Sequence, residues 1–458
     1  MGSPFLYSIF SIAILQENIY NNRNQLKFNS FKPYTYLNNL CHIAKGDLFL
    51  GLLFCVFEKE KSMKQLKTLE EATSFLTKLN ETDLWQKCIL SQSKLTYVQI
   101  ADPKEIDQYI KSTLFPNCHP DCIKEAVLRG VLVLSFKEND FVISNGKVFE
   151  KVENYLVSTD AIPSLLERLG IKGSTITYLL KNYEYERLTE IYNFLNASKF
   201  RGYLAEKMKF LHRDGFIRAV FSDRYKEEPQ IQLLEKIHSV LLELMPNATF
   251  KEGRYQLDYS SFEWSLGDLN SDVLSNFKTE MLSAGFNIPN ESNLEVIIRA
   301  ETSDLGNFPI TIAPYMEYYG RKILISFPYK FKHFEKAKKT EKAVTEILSL
   351  IESETEKVGK LLNQEIKHPY RAALKALLDI DLNTVSKQLC YQLLNAVEQS
   401  LGECTSNAFM IFTILSNVEN SDIYMAMNLQ KKMLIKEKLC TLSSINWEDA
   451  DRSNLESI

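Results

Sequence analysis

HRDGFIRAVFSDRYK, residues 212–226, organises the reading of this chain. Asp214-Gly215 is a strong two-residue hairpin signal, because both central positions of such a turn favour positive φ. Lys207, Lys209 and Leu211 lead into it and Phe216 to Phe221 lead out, so two strands flank a turn at His212 to Gly215. PQIQLLEKIHSVLLELM (229–245) follows as an amphipathic helix with Pro229 near its start. Strict alternation places Arg218 with Phe216 and Val220 on one face, and Ile217, Ala219 and Phe221 on the other. An arginine on a half-buried face needs an acidic partner. Asp304 or Asp223 is the expected one, with an Arg218–Asp304 pair joining distant segments. Ser222-Asp223-Arg224 reads either as the entry to the following helix or as part of a site.

Outward from this stretch, helical and extended signals alternate. LKTLEEATSFLTKL (66–79) has apolar residues at helical spacing, and KLTYVQIA (94–101) is strand-like. Asp102-Pro103 marks a helix start. Residues 130–152 read as a strand and a hairpin through Ser144-Asn145-Gly146. The helix in 158–171 turns Ile162, Leu165, Leu166 and Leu169 inward. Residues 248–265 look extended, 270–285 helical, and 294–331 like several strands. Beyond about residue 335 the strand signals stop. Val344, Ile347, Leu348, Ile351, Val358, Leu361, Leu362 and Ile366 trace a helical stripe. The expected fold is α+β: a core at 63–335 with a mixed sheet and flanking helices, an all-helical domain at 336–445 and an acidic tail at 446–458.

Composition narrows the function classes. The chain has 458 residues, 24% charged and 45% hydrophobic, with a net charge of −4. That excludes an overall basic nucleic-acid footprint, so any such site is a local patch. Sixteen glycines is about half the usual frequency of roughly 7%, and no glycine-rich phosphate loop is present. The eight cysteines form no compact framework, which reads as free thiols in a reducing compartment. Cys118-His119-Pro120-Asp121-Cys122 is a close pair without a second ligand pair, so a structural turn is expected and no metal. No cofactor is expected either. Two early apolar runs, 5–15 and 48–57, are too short to span a membrane, and the first lacks the basic flank of a secretory signal. Lys59-Glu60 is encodable as a bacterial ribosome-binding sequence a short distance ahead of Met63. Residues 1–62 are therefore read as a doubtful extension, with the native start at Met63.

Three segments together resemble one family. They are LVSTDAIPSLLERLGI (156–171), GFIRAVFSDRYKEEPQIQLLEKI (215–237) and AETSDLGNFPITIAPYM (300–316). The second is similar to an R-A-x-x-S-D-R-Y signature and the third to an S-D-x-G segment. Both belong to the phage/plasmid-like proteins grouped as domain of unknown function family 932. The resemblance covers roughly residues 95–340, and departs after Pro314, where Tyr318-Tyr319-Gly320-Arg321 replaces a Cys-Asn-Gly-type turn. It implies a mobile-element setting inside a bacterial host cell, hence a cytoplasmic protein, and supplies no mechanism. The residues it singles out are Arg218, Ser222, Asp223, Arg224, Tyr225, Ser303, Asp304 and Gly306.

Two local patches carry the functional expectation. Residues 199–226 hold eight Lys/Arg against three Asp/Glu, and residues 329–342 hold six against two, with Tyr329, Phe331 and Phe334 interleaved. Cations neutralise phosphates and aromatic rings stack on unpaired bases. Lys207, Lys209, Arg213, Arg224, Lys226, Lys330, Lys332, Lys336, Lys338 and Lys339 are the expected contacts to single-stranded DNA. The alternative is a non-catalytic assembly protein that forms homo-oligomers through its C-terminal helices. No hydrolase or metalloprotease motif is present. Asp223, Asp304 and Glu301 are the carboxylates that would hold Mg²⁺ in an enzyme of phosphoryl transfer. No membrane partner is expected.

Overall fold

Asp214 and Gly215 both take positive φ, 52° and 83°, so the hairpin forms as its sequence demands. A Cβ on residue 215 would also come within 2.7 Å of Cys118 Sγ. Gly215→Ala is therefore expected to destabilise the fold by about 1–3 kcal/mol, read from the midpoint of urea unfolding; an unchanged midpoint would contradict this account of the turn.

The computed structural model describes residues 63–453, except 90–92, 145–146, 172, 198–206, 226, 228, 258, 267, 286–293, 306–308, 332–337 and 420. The expected extension at 1–62 lies outside the described residues. In chain order come β1 (Lys64–Leu66), α1 (Leu69–Thr82), β2 (Leu84–Cys88), β3 (Ser93–Val98), α2 (Pro103–Ser112), α3 (Pro120–Arg129), β4 (Val131–Ser144) and β5 (Lys147–Val157). Three helices follow, α4 (Ala161–Arg168), α5 (Ser174–Lys181) and α6 (Tyr185–Ala197), then the hairpin β6 (Met208–Arg213) and β7 (Phe216–Ser222). Next are α7 (Gln230–Leu244), β8 (Thr249–Tyr255), β9 (Ser260–Ser265), α8 (Asp268–Ser283), β10 (Leu294–Thr302), β11 (Ile310–Tyr318), β12 (Arg321–Leu324) and β13 (Tyr329–Phe331). The C-terminal region holds α9 (Lys338–Lys360), β14 (Glu365–Ile366), α10 (Pro369–Asp379), α11 (Leu382–Val385), α12 (Lys387–Leu401), β15 (Ser406–Asn407), α13 (Ala408–Ser416), α14 (Asp422–Met425), α15 (Leu429–Cys440) and α16 (Trp447–Asp451).

The α+β class holds, with two large sheets in place of one. The first has the order β2-β6-β7-β5-β4-β3 and is mixed, because β5 and β7 run parallel. The second is antiparallel in the order β1-β8-β9-β10-β11-β12, with β13 also on β11. The short β14–β15 pair is the one break in the helical character of the C-terminal region among the described residues.

The register of the hairpin corrects the alternation. Leu211 faces Ala219, but His212 faces Ile217, so Arg218 is an extra, bulged residue. The bulge reverses parity. Ile217 and Val220 now share one face and pack with α4, α5 and α6, while Ala219 and Phe221 join Leu211 on the other. Arg218 lies over the Phe216 ring at 5.2 Å and 3.8 Å from Asp214. Ser222 to Arg224 do not open a helix: Tyr225 N donates to Ser222 O in a turn, and α7 starts only at Gln230.

The second sheet buries one face against α1, α7, α8, α9 and the later helices in one continuous apolar core. Val344, Ile347, Ile351, Val358, Leu361, Leu362 and Ile366 are all buried there. The helical stripe therefore belongs to the chain's own core. It forms no separate core that would mark 336–445 as an independent domain. Of the expected acidic tail at 446–458, residues 446–453 are described and are packed: Trp447 in α16 is fully buried and donates its indole N–H to Leu442 O.

Candidate nucleic-acid interface and polar cleft

Four element ends converge on Arg213, the last residue of β6. Asp83 follows α1 in an extended conformation, Tyr255 ends β8, Gln230 opens α7 and Asp304 follows β10. Arg213 Nε and Nη2 donate to the two oxygens of Asp83 at 2.5 and 2.8 Å. Arg213 Nη1 donates to Tyr255 Oη at 2.6 Å and to Asp304 Oδ2 at 2.8 Å. Tyr255 Oη in turn donates to Asp304 Oδ2 at 2.7 Å, and Gln230 Nε2 donates to Asp304 Oδ1 at 2.7 Å. Burial opposes the guanidinium charge, and Asp304 and Asp83 more than offset it, so Arg213 stays firmly protonated. Burial holds the Asp83 carboxyl above its ordinary value despite Arg213, and burial with the Asp304 charge keeps Tyr255 a neutral phenol.

This geometry makes two corrections. The partner of Asp304 is Arg213, not Arg218. And Arg213, 4% exposed and fixed between two carboxylates, is not a phosphate contact.

Beside the hub lies a cleft of about 30 Å³, walled by Asn80, Asp83, Trp85, Tyr225, Gln230 and Ser303 among others. Segments 215–237 and 300–316 thus meet here, through Tyr225 on one side and Ser303-Asp304 on the other. The cleft takes Trp85 from β2, the edge strand of the first sheet. Side-chain alternation and the β2–β6–β7 register put Trp85 and Lys87, Lys209 and Leu211, and Ala219 and Phe221 on one face. Trp85 packs against Phe221 at 5.4 Å and Tyr225 at 5.6 Å, and Phe221 stacks on Tyr225 at 4.0 Å. Lys207 and Arg224 are exposed and make no ion pair among the described residues. Lys87 lies 3.5 Å from Asp223, and Lys209 reaches Glu227 at 3.1 Å.

The remaining expected residues scatter. Lys330 pairs with Glu437 and Phe331 is buried in the core, so the described part of 329–342 is no stacking surface. Lys339 is half-buried. Lys226, Lys332, Lys336 and Gly306, and the side chain of Lys338, lie outside the described residues. Ser303 Oγ accepts from Leu305 N at 3.1 Å. His119 Nδ1 accepts from Asp121 N, a helix cap, and burial pushes the Cys118 thiol up to about 11. No group of three or more metal-ligating side chains occurs among the described residues. Asp223, Asp304 and Glu301 each serve a different cation: Lys87, Arg213 and Lys436.

Glu301 belongs to a buried charge network that the sequence reading missed. It covers the second sheet's other face. Arg299 donates to Glu263 and to Glu419, both at 2.7 Å. Lys436 of α15 reaches Glu301 at 3.0 Å and Glu419 at 3.1 Å. Lys322 joins Glu263 at 2.6 Å and Glu252 at 2.8 Å. Tyr259 Oη donates to Glu301 at 2.6 Å. Burial raises these carboxyls, but Lys436 and Arg299 beside Glu301, Arg299 and Lys436 beside Glu419, and Lys322 beside Glu252 outweigh it. All three are held below their ordinary value. Their folded pKa values lie below the unfolded ones, so their stabilisation is complete above the unfolded value and is lost as pH falls through the folded ones. Asp83, shifted the other way, is one group against three. The urea midpoint is therefore expected to drop steadily below about pH 4; a flat acid limb would contradict the network.

Comparison with family models, with curated proteins and with solved structures finds no match. Among the described residues no helix is long and apolar enough to cross a membrane.

Proposed function

We propose that this protein binds single-stranded nucleic acid along the β2 edge of its mixed sheet, in the mobile-element setting that its signature segments imply. One observation carries the reading: aromatic and basic side chains gather at the β2 edge of the sheet, half-buried Trp85 and Tyr225 beside Lys87 and Lys209, with exposed Lys207 and Arg224 at the adjoining strand ends. Exposed cations track a phosphate backbone, and half-buried rings offer faces to unpaired bases at about 1–3 kcal/mol each. The assembly alternative lacks comparable support, because the stripe it relied on is buried within the chain.

The test uses an internal probe. Trp264 and Trp447 are fully buried, leaving Trp85 as the partly exposed tryptophan. Titration with an oligonucleotide should quench Trp85 fluorescence, with affinity falling steeply as salt rises. Trp85→Ala should weaken binding on the order of tenfold. Lys207→Glu with Arg224→Glu should flatten the salt slope by about 1.4, two single-strand contacts at roughly 0.7 each. No binding at low salt, or affinity indifferent to salt, would sink the proposal.

A further inference from the structure

The cleft beside Arg213 carries a surplus of negative charge. Among the described residues that line it, Asp83, Asp304 and Arg213 are the charged ones, two carboxylates against one guanidinium. Tyr255 and Gln230 donate hydrogen bonds to Asp304 but bring no charge. The nearby Lys87 and Lys209 are paired with other carboxylates, Asp223 and Glu227, and leave the surplus in place. Its effect is felt at Asp83, whose carboxyl is raised by burial and by the Asp304 and Asp214 charges, against the pull of Arg213. Both carboxylates keep a route to solvent, the side chains of Asp83 and Asp304 each being 11% accessible. Exposed Asn80 and half-buried Trp85 and Tyr225 complete the accessible wall. Such a space attracts a cation, because charge acts over several Å where water is scarce. Aromatic walls favour an organic cation. Room of about 30 Å³ suits a primary ammonium, about the size of a water molecule. It is too small for magnesium, which gives up its waters reluctantly.

We propose that the cleft binds a primary aliphatic ammonium, the end group of a free diamine or of a lysine side chain. The ammonium offsets the surplus charge of Asp83 and Asp304, and its methylenes lie along Trp85 and Tyr225. The site stands apart from the nucleic-acid reading above. Phosphates follow the exposed cations outside, and the negative cleft repels them.

Full-length protein, without oligonucleotide, is titrated with 1,4-diaminobutane at neutral pH and fixed ionic strength while Trp85 fluorescence is followed. A saturable change is expected, and the thermal midpoint should rise with it. 1,4-Butanediol, matched in length but neutral, should produce neither effect, and magnesium chloride should not displace the diamine. Asp83→Asn cancels the surplus charge and should weaken the diamine about tenfold. Tyr225→Leu lies outside the hydrogen bonds of Arg213 and should weaken it severalfold, which keeps the test open even if Asp83→Asn does not fold. N-acetyl-lysine N-methylamide separates the two sources: if it competes with the diamine, the site takes a lysine side chain, and if only the diamine binds, it takes the free amine. No saturable change with either amine, an equal change with butanediol, displacement by magnesium, or an affinity unmoved by both variants overturns the site and leaves the nucleic-acid reading standing. Failure of oligonucleotides to bind overturns that reading and leaves this one.

Discussion

Replacing Arg299 by alanine is expected to destabilise the protein by about 3–5 kcal/mol, the range seen when one partner of a buried ion pair is removed. Arg299 is 3% exposed on β10, with Glu263 and Glu419 both at 2.7 Å and the Tyr315 ring 4.4 Å from its guanidinium. Deleting it leaves buried Glu263 and half-buried Glu419 with less compensation, while Lys322 and Lys436 are each shared between two carboxylates. The destabilisation therefore comes chiefly from stranded charge, not from lost contact area. A variant that combines Arg299→Met with Glu263→Gln and Glu419→Gln removes the stranded charges too, and should recover much of the loss. Urea unfolding followed by circular dichroism measures both. A loss under about 1 kcal/mol, typical of exposed pairs, would show that the network is solvated rather than buried.

Arg213→Ala should have a comparable effect, about 3–5 kcal/mol, for a different structural reason. Its guanidinium joins the first sheet, through β6, to Asp304 at the end of β10 in the second and to Asp83 between α1 and β2. Arg213→Lys should rescue little, because a single ammonium cannot reproduce the two-pronged contact with Asp83 and also reach Asp304. The double variant with Asp304→Asn should be less destabilised than the sum of the single ones, since both act on one network. Thermal unfolding of the four proteins tests this, and strict additivity would contradict it. The salt dependence of oligonucleotide binding separates this role from phosphate contact: a folded Arg213→Lys protein should keep the slope of the parent.

The hairpin at 214–215 was legible because its turn chemistry is local: a positive-φ pair needs Asp-Gly whatever surrounds it. The start of α2 at Asp102-Pro103 was legible for the same reason, with Asp102 accepting from Lys104 N at 2.9 Å. The C-terminal helices followed from their apolar period. Arg218 was misplaced because a bulge leaves no mark in the alternation, so one extra residue exchanged the faces of the strand. The basic run at 199–226 divided for a related reason. Arg213 and Arg224 look alike in sequence, yet one is buried between carboxylates and the other is exposed. Trp85, Gln230, Tyr255 and Asp83 escaped notice altogether. Their neighbours across the cleft lie tens to hundreds of residues away, as in the separation of 130 between Asp83 and Arg213.

By itself, then, the sequence determined the element types, the hairpin, the α+β class and the presence of a charged and aromatic segment, because propensity, turn chemistry and periodicity act over a few residues. The tertiary structure decided which cations are buried and which are exposed, which carboxylate holds which arginine, and that the helical region shares its core with a sheet. Those outcomes depend on which distant side chains share a desolvated space. There an uncompensated charge is too costly to persist, and each ion's partner is set by the packing of the sheets and helices that enclose it.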